Sequence, residues 1–561
     1  MTIEINSSST PKASKSVAPR HTEQVIQDAL YVYLSTLDLN NLPPIKQIGI
    51  KALTAINQEI EAENVIRAKD KTIPFRKRLT FTEAAHIMAY TQNICRIPLA
   101  GMEMDESKDV VHIYEKDGWK KGLYTSDEMP FQRLATELIY SLSSTDFEET
   151  MIALRTLCER KTKCEDSNLV AVNNGVFDRK TKTLLPFSSD YVFITKSMID
   201  YDPKATNHVI HNAKDSTDWD IESWMNDLHD DPEVVDLLWK LIGACIRPNT
   251  PWNKCAFLFS ETGNNGKGSL CSLIRNMCGP GNHASLSISD FAKEFMLEGL
   301  IGVSAVITDE NDVGIFIDRT ANLKAAITND LLWINRKNKT AIPYRYQGFM
   351  IQCLNSMPRV KDRSESFYRR QLFIPMPKCF TDNERLYIKN KYLKDERVLK
   401  YVLKRVLHMD YEELPEPDTC KKALSDYKDF NDPVRTFWNE TREEYKWDLL
   451  PSSFLYDLYK AWHREANPGG SPLSRNMFLN DLRQLLRDDI DWGWPDPNKA
   501  VRSCGRMDDH EQLIIKHELN NWYDPNARTD NPVKRANFPR AVSYRGPERL
   551  TPRPKTTTQK N

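Results

Sequence analysis

Phe257-Leu258-Phe259-Ser260-Glu261-Thr262-Gly263-Asn264-Asn265-Gly266-Lys267-Gly268-Ser269 decides how this chain is read. A short apolar run, Cys255 to Phe259, ends in a loop of small and polar residues. Leu270, Leu273, Ile274 and Met277 then recur at helical spacing until Gly279-Pro280 stops them. Strand, glycine loop and helix in that order are the setting a phosphate-binding loop requires. Glycines let backbone N–H groups turn toward an anion, the helix N-terminus adds positive potential, and Lys267 supplies a mobile charge for the β- and γ-phosphates. The expected nucleotide contacts are Gly263, Asn264, Asn265, Gly266, Lys267, Gly268 and Ser269. Two positions depart from the usual pattern. Glu261 stands where a glycine is normal, and Gly268 replaces the Ser or Thr that binds magnesium, leaving Ser269 or water for that place.

Downstream segments supply partners for the loop. Val303-Ser304-Ala305-Val306-Ile307-Thr308-Asp309-Glu310 is a buried strand ending in two carboxylates. A parallel sheet delivers such strand ends to the edge where the phosphate loop sits. There Asp309 can help hold Mg²⁺ while Glu310 polarises an attacking water. Phe349-Met350-Ile351-Gln352-Cys353-Leu354-Asn355 is another strand, ending in an amide suited to orient that water. Tyr368-Arg369-Arg370 places paired arginines just before a fourth apolar strand, Gln371 to Pro375. Each piece alone also reads as a strand entering a solvated turn, or as a surface ion pair. Their order along the chain favours the joint reading.

With these residues in view, the stretch from about 165 to 380 resembles a superfamily 3 helicase, and within that group the phage/plasmid P4-type, poxvirus D5-like replication proteins. Leu323-Lys324-Ala325-Ala326-Ile327-Thr328-Asn329-Asp330 is similar to the family's Lys-x-x-x-Thr-Gly-Asp segment, with Asn329 in the glycine's place. Asn335-Arg336-Lys337-Asn338-Lys339 falls where the family has a DNA-binding hairpin. The resemblance implies Walker A, Walker B and sensor 1 roles for Lys267, for Asp309 with Glu310, and for Asn355. It also implies an arginine finger, Arg369 or Arg370, with the spacing to the following strand favouring Arg369. ATP and Mg²⁺, a homo-hexameric ring and 3′-to-5′ movement along single-stranded or forked DNA come with it. Cations at Arg336, Lys337 and Lys339 on such a loop would grip phosphates with strong salt dependence and little base preference.

The whole chain sets bounds on this reading. Its 561 residues, 40% hydrophobic, are enough for several cores, and no apolar run approaches a membrane span. Residues 1–20 are polar and Ser/Thr-rich without an apolar secretory segment, so a disordered leader is expected, and the resemblance implies the cytoplasm of a bacterial host. Eleven scattered cysteines without a Cys-x-x-Cys read as free thiols rather than a zinc site. A net charge of −1 does not exclude DNA, because cations cluster at 336–339, 359–370 and the C-terminus while acids gather at 215–236. Asp200-x-Asp202 and Asp218-x-Asp220 have metal-cage spacing but lie in loops, so no primase site is expected.

Other segments complete the expected layout, an α/β protein with an AAA+ ATPase core around a parallel sheet. Residues 21–165 should be mainly helical, with a hairpin from Val110-Val111-His112-Ile113-Tyr114 and Gly122 to Tyr124. Residues 166–250 form a D5-type segment with a helical collar, 251–380 the ATPase and 381–430 a helical lid. Residues 431–525 suit a winged helix, in which Ser474 caps a recognition helix exposing Arg475, Arg483 and Arg487 to origin DNA. Residues 526–561, with nine Lys/Arg against two Asp/Glu and five prolines, read as a disordered basic tail. The expected activity is an ATP-driven replicative DNA helicase; the alternative is an AAA+ initiator or remodelling ATPase that binds DNA without translocating.

Overall fold

Apolar stripes decide the N-terminal helices. In the computed structural model, which describes residues 19–312, 314, 316–337, 339–381, 385–466, 470–487, 489–524, 531–536 and 541–551, α1 (Thr22–Ser35) and α2 (Ile45–Val65) bury Val25, Ile26, Ile48 and Ile56 in one core. Helix α3 (Phe81–Thr91) opens on a capping box between Thr80 and Glu83. Strands β1 (Ile94–Ile97), β2 (Val110–Tyr114) and β3 (Tyr124–Thr125) follow as an antiparallel sheet. The β2–β3 pair is the expected hairpin, and β1 adds a strand beside it. Helices α4 (Glu128–Leu138) and α5 (Ser144–Leu157) close this core.

A second antiparallel unit, β4 (Leu169–Val172), β5 (Gly175–Asp178) and β6 (Thr183–Leu185), turns at Asn173-Asn174. The pair β7 (Ile210–Asn212) and β8 (Thr217–Trp219) leads into α6 (Ile221–Asp227), where Asp220 caps by accepting from Ser223 N at 3.0 Å. In α7 (Pro232–Cys245), Pro232 opens the first turn and apolar residues on all sides are buried.

The central segment contains β9 (Cys255–Phe259), α8 (Lys267–Cys278), β10 (His283–Ala284), β11 (Ala305–Thr308), β12 (Phe316–Ile317), α9 (Ala321–Ile327), β13 (Leu331–Arg336), β14 (Lys339–Arg345), β15 (Phe349–Leu354), β16 (Arg359–Val360), α10 (Glu365–Tyr368) and β17 (Gln371–Pro375). Five of these make one parallel sheet in the order β10-β11-β15-β9-β17. Alternation along β9 sends Ala256 and Leu258 into one core and Cys255 and Phe257 into another, so the sheet is covered on both faces. After it come α11 (Leu386–Asn390), α12 (Glu396–His408) and α13 (Asp418–Asn431). Residues of α7, α8 and α12 fill the first core; in the second, Tyr427 of α13 stacks on Phe373 with ring centroids 4.8 Å apart. Segments 166–250 and 381–430 thus share hydrophobic cores with the sheet.

The C-terminal part has its own core, around Trp438, Trp447, Phe478 and Trp492. Its elements are α14 (Pro433–Thr441), α15 (Ser452–Ala466), α16 (Arg475–Leu485), β18 (Trp492–Gly493), β19 (Val501–Arg502), α17 (Gln512–Lys516), α18 (Pro532–Arg535), β20 (Ser543–Tyr544) and β21 (Glu548–Arg549). Ser474 caps α16, accepting from Met477 N at 3.4 Å. Disorder throughout 526–561 does not hold: β20 pairs with β19 and β21 with β18, so the chain returns to cover Trp492. The expected leader lies outside the described residues apart from its last two positions. No helix among the described residues is long and apolar enough to cross a membrane.

Candidate functional site

Because β9, β11 and β15 are parallel neighbours, the residues following them meet at one edge of the sheet. The loop after β9 is shaped by backbone that few residues adopt: Asn264 has φ +53° and Gly266 has φ +83°. A Cβ on Gly266 would lie 2.5 Å from Leu228 Cδ2, so the turn after α6 presses on the loop from outside. Asn265 is buried and donates its amide to Thr262 O, while Phe380 N donates to Asn264 O at 2.8 Å.

Lys267, the first residue of α8, is buried with its ammonium donating to Leu354 O at 3.1 Å, Ser260 O at 3.3 Å and Asn355 Oδ1 at 3.0 Å. All three acceptors are neutral. Desolvation pushes its pKa below that of an ordinary lysine, so a buried cation sits at a helix N-terminus ready for an anion. Asn355 also reaches Glu310, its Nδ2 lying 3.5 Å from Oε1. Lysine, amide and carboxylate therefore form one chain across the strand ends, with Glu310 exposed to water.

Asp309 is placed differently. Arg275, two turns along α8, binds it at 2.8 Å and donates to Ile307 O at 3.0 Å. Sequence reasoning missed Arg275; its one signal is a cation on a helix otherwise carrying apolar residues inward. Ser269 N donates to Gly266 O at 3.1 Å, and Lys389 stands beside Gly268, 3.4 Å from where a Cβ would be. The two arginines divide. Arg370 turns back onto Ser366 O and its own carbonyl accepts from Cys255 N, whereas Arg369 is exposed and its guanidinium has no hydrogen-bond or ion-pair partner among the described residues.

Lys324 of α9 is bound to Asp362 at 2.7 Å, which together with Ser364 and Thr320 outweighs burial and holds that carboxyl well below the usual range. Asn329 has φ +55°, a conformation in which Asn is the commonest substitute for glycine. Strands β13 and β14 pair through Arg336 and Lys339 at the tip of an antiparallel hairpin. Arg336 is folded onto Thr340 O at 2.9 and 3.1 Å, leaving Lys337 and Lys339 exposed; Asn338 lies outside the described residues. Trp333, 59% exposed on the same hairpin, was not anticipated. Arg475 at the start of α16 and Arg487, two residues past its end, are exposed, while Arg483 lies over the Trp494 ring at 4.6 Å and so is packed within the fold.

Three family models match the chain: "D5 N terminal like" over 100–229, a family of unknown function (DUF5906) over 258–370, and "Poxvirus D5 protein-like" over 430–511. No curated protein matches it. Among solved structures, the apo NrS-1 C-terminal region (305–718) is similar at 13% identity, covering 77% of this chain and 98% of that one with a TM-score of 0.42. Its A form gives 14% identity, 76% and 89% coverage and a TM-score of 0.39. Two of the matched models carry the D5 description, one on each side of the segment that holds Lys267, so the chain is similar to D5-type proteins over 100–229 and 430–511.

Proposed function

We propose that the protein is an ATP-dependent DNA helicase of replication, an AAA+ ATPase working as a homo-hexameric ring. The carrying observation is the Lys267–Asn355–Glu310 chain at the C-terminal edge of the parallel sheet. Lys267 would bind the β- and γ-phosphates in exchange for its present carbonyl and amide partners, with the loop N–H groups from Gly263 to Gly268 around them. Glu310, exposed and tethered by Asn355, would orient and deprotonate the attacking water. The donor set fits Mg²⁺: Asp309 and Ser269 would hold it, and the bound ion would neutralise phosphate charge. Gly268 removes the usual hydroxyl, and Arg275 must yield part of Asp309 for that purpose.

Arg369 suits a finger acting on the neighbouring subunit because it is exposed and uncommitted, unlike Arg370. Lys337, Lys339 and Trp333 offer two phosphate contacts and a stacking face to single-stranded DNA, with Arg336 bracing the tip. Exposed Arg475 at the start of α16 and Arg487 just past its end support an origin-reading winged helix, and they also favour the second reading, an initiator that binds DNA without translocating.

ATP hydrolysis measured with and without single-stranded DNA, beside strand displacement on a forked duplex and particle mass, tests the proposal. DNA-stimulated hydrolysis by a ring that separates strands is expected. Stimulated hydrolysis without displacement would select the initiator, and no hydrolysis in any oligomeric form would end both readings.

A further inference from the structure

A cleft of about 600 Å³ opens between the N-terminal sheet and the back of the β13–β14 hairpin, away from the phosphate loop. That volume is in the range of small-molecule sites, roughly 300–1,000 Å³. Its lining combines aromatic surface, one desolvated cation, one exposed cation and a directed acceptor. Trp119, on the β2–β3 connection, is 55% exposed, with its ring 3.4 Å from where a Cβ on Gly281 would lie. Lys163 lies 5.5 Å from the centroid of the Tyr344 ring and has no hydrogen bond or ion pair among the described residues. Burial lowers its pKa, with Glu165 only partly opposing. A desolvated ammonium without a bound acid is costly unless an anion can reach it.

His112 adds direction. Its pKa is pushed down to about 4, first by burial, so the ring is neutral near pH 7. Nδ1 lies 2.9 Å from Val110 O and therefore carries the proton, which leaves Nε2 as an acceptor for a ligand N–H. Arg345, exposed at the end of β14, adds a second cation to the lining.

We propose that this cleft is a second nucleotide site, taking one nucleoside phosphate with its base on Trp119, an exocyclic amine donating to His112 and its phosphate on Lys163 and Arg345. The unit is either a free nucleotide or one residue of a DNA strand; both present the same groups. Tyr344 and Arg345 belong to the hairpin, so occupancy would also bias where the hairpin stands. The inference does not depend on ATP hydrolysis at Lys267.

The test is equilibrium binding of dAMP, and separately of a six-residue oligo(dA), to the full chain carrying Lys267→Ala, without Mg²⁺. Saturable binding should persist in that background. Trp119→Ala and Lys163→Ala should each weaken it about tenfold or more, the loss expected for one stacked base, while Lys163→Arg should recover most of it. Trp119 is exposed, so its removal should leave the unfolding midpoint unchanged. Weakening confined to the oligonucleotide would assign the cleft to a strand. Absence of saturable binding for both probes, or binding indifferent to both alanine substitutions, would overturn the proposal.

Discussion

Lys267 is a cation held by oxygens that carry no charge, so on the proposed reading its charge would be matched only when phosphates bind. Lys267→Ala should lower ATP turnover by about 10²- to 10³-fold, the usual loss for one preorganised charge-stabilising donor. Glu310→Gln should keep nucleotide binding and lose turnover, which filter binding beside phosphate release would separate. A different carboxylate controls stability. Glu511 is fully buried, accepting from Lys446 N at 2.8 Å and Trp447 N at 3.2 Å, and burial raises its pKa from 4.5 to about 7 despite these bonds. The folded value lies above the unfolded one, so its stabilising contribution is complete below pH 4.5 and is lost as pH rises through about 7. Urea unfolding of the C-terminal core should weaken over that window by at most about 3 kcal/mol, and Glu511→Gln should flatten the slope. A flat wild-type profile would contradict this. Lys267, Glu310 and Asn355 were readable because each ends or follows an apolar run. Arg275 was not, since a cation on an apolar helix does not reveal a partner 34 positions away.

At the scale of elements, the loop after β9 and the β13–β14 hairpin depend on backbone shape. Gly266→Ala would place a methyl 2.5 Å from Leu228 Cδ2 at φ +83°, so nucleotide binding should fall while far-UV dichroism stays unchanged. Lys337→Ala with Lys339→Ala should weaken single-stranded DNA evenly across sequences and reduce the salt slope by about one per lost phosphate contact. Basal hydrolysis should stand. The hairpin and the sheet strands announced themselves through alternation and apolar runs bounded by turns. Strands β20 and β21 did not: two residues each, set among prolines and cations, they have no periodicity to read. Arg483 likewise looked like a DNA contact because Trp494 lies beyond its helix in sequence but above its guanidinium in space.

For the molecule as an assembly, the exposed Arg369 makes a sharp expectation. Arg369→Ala should lose about 10³- to 10⁵-fold in hydrolysis while still assembling. Mixing it with Lys267→Ala subunits should restore part of the rate, since intact loops would then face intact arginines; no recovery would place the finger in the same subunit. Shared cores explain why boundaries drawn from sequence at 250 and 380 mark changes of composition rather than separable bodies. The returning end of the chain has a practical consequence. Leu450 N donates to Pro547 O at 3.0 Å, Leu550 N to Asp491 O at 2.7 Å, and Arg549 covers the Trp492 ring at 4.4 Å. Shortening the protein after Asp524, the trim its proline-rich finish invites, would strip a lid of backbone from an indole-filled interior. Purification handles belong beyond Thr551, where they leave that seam sewn.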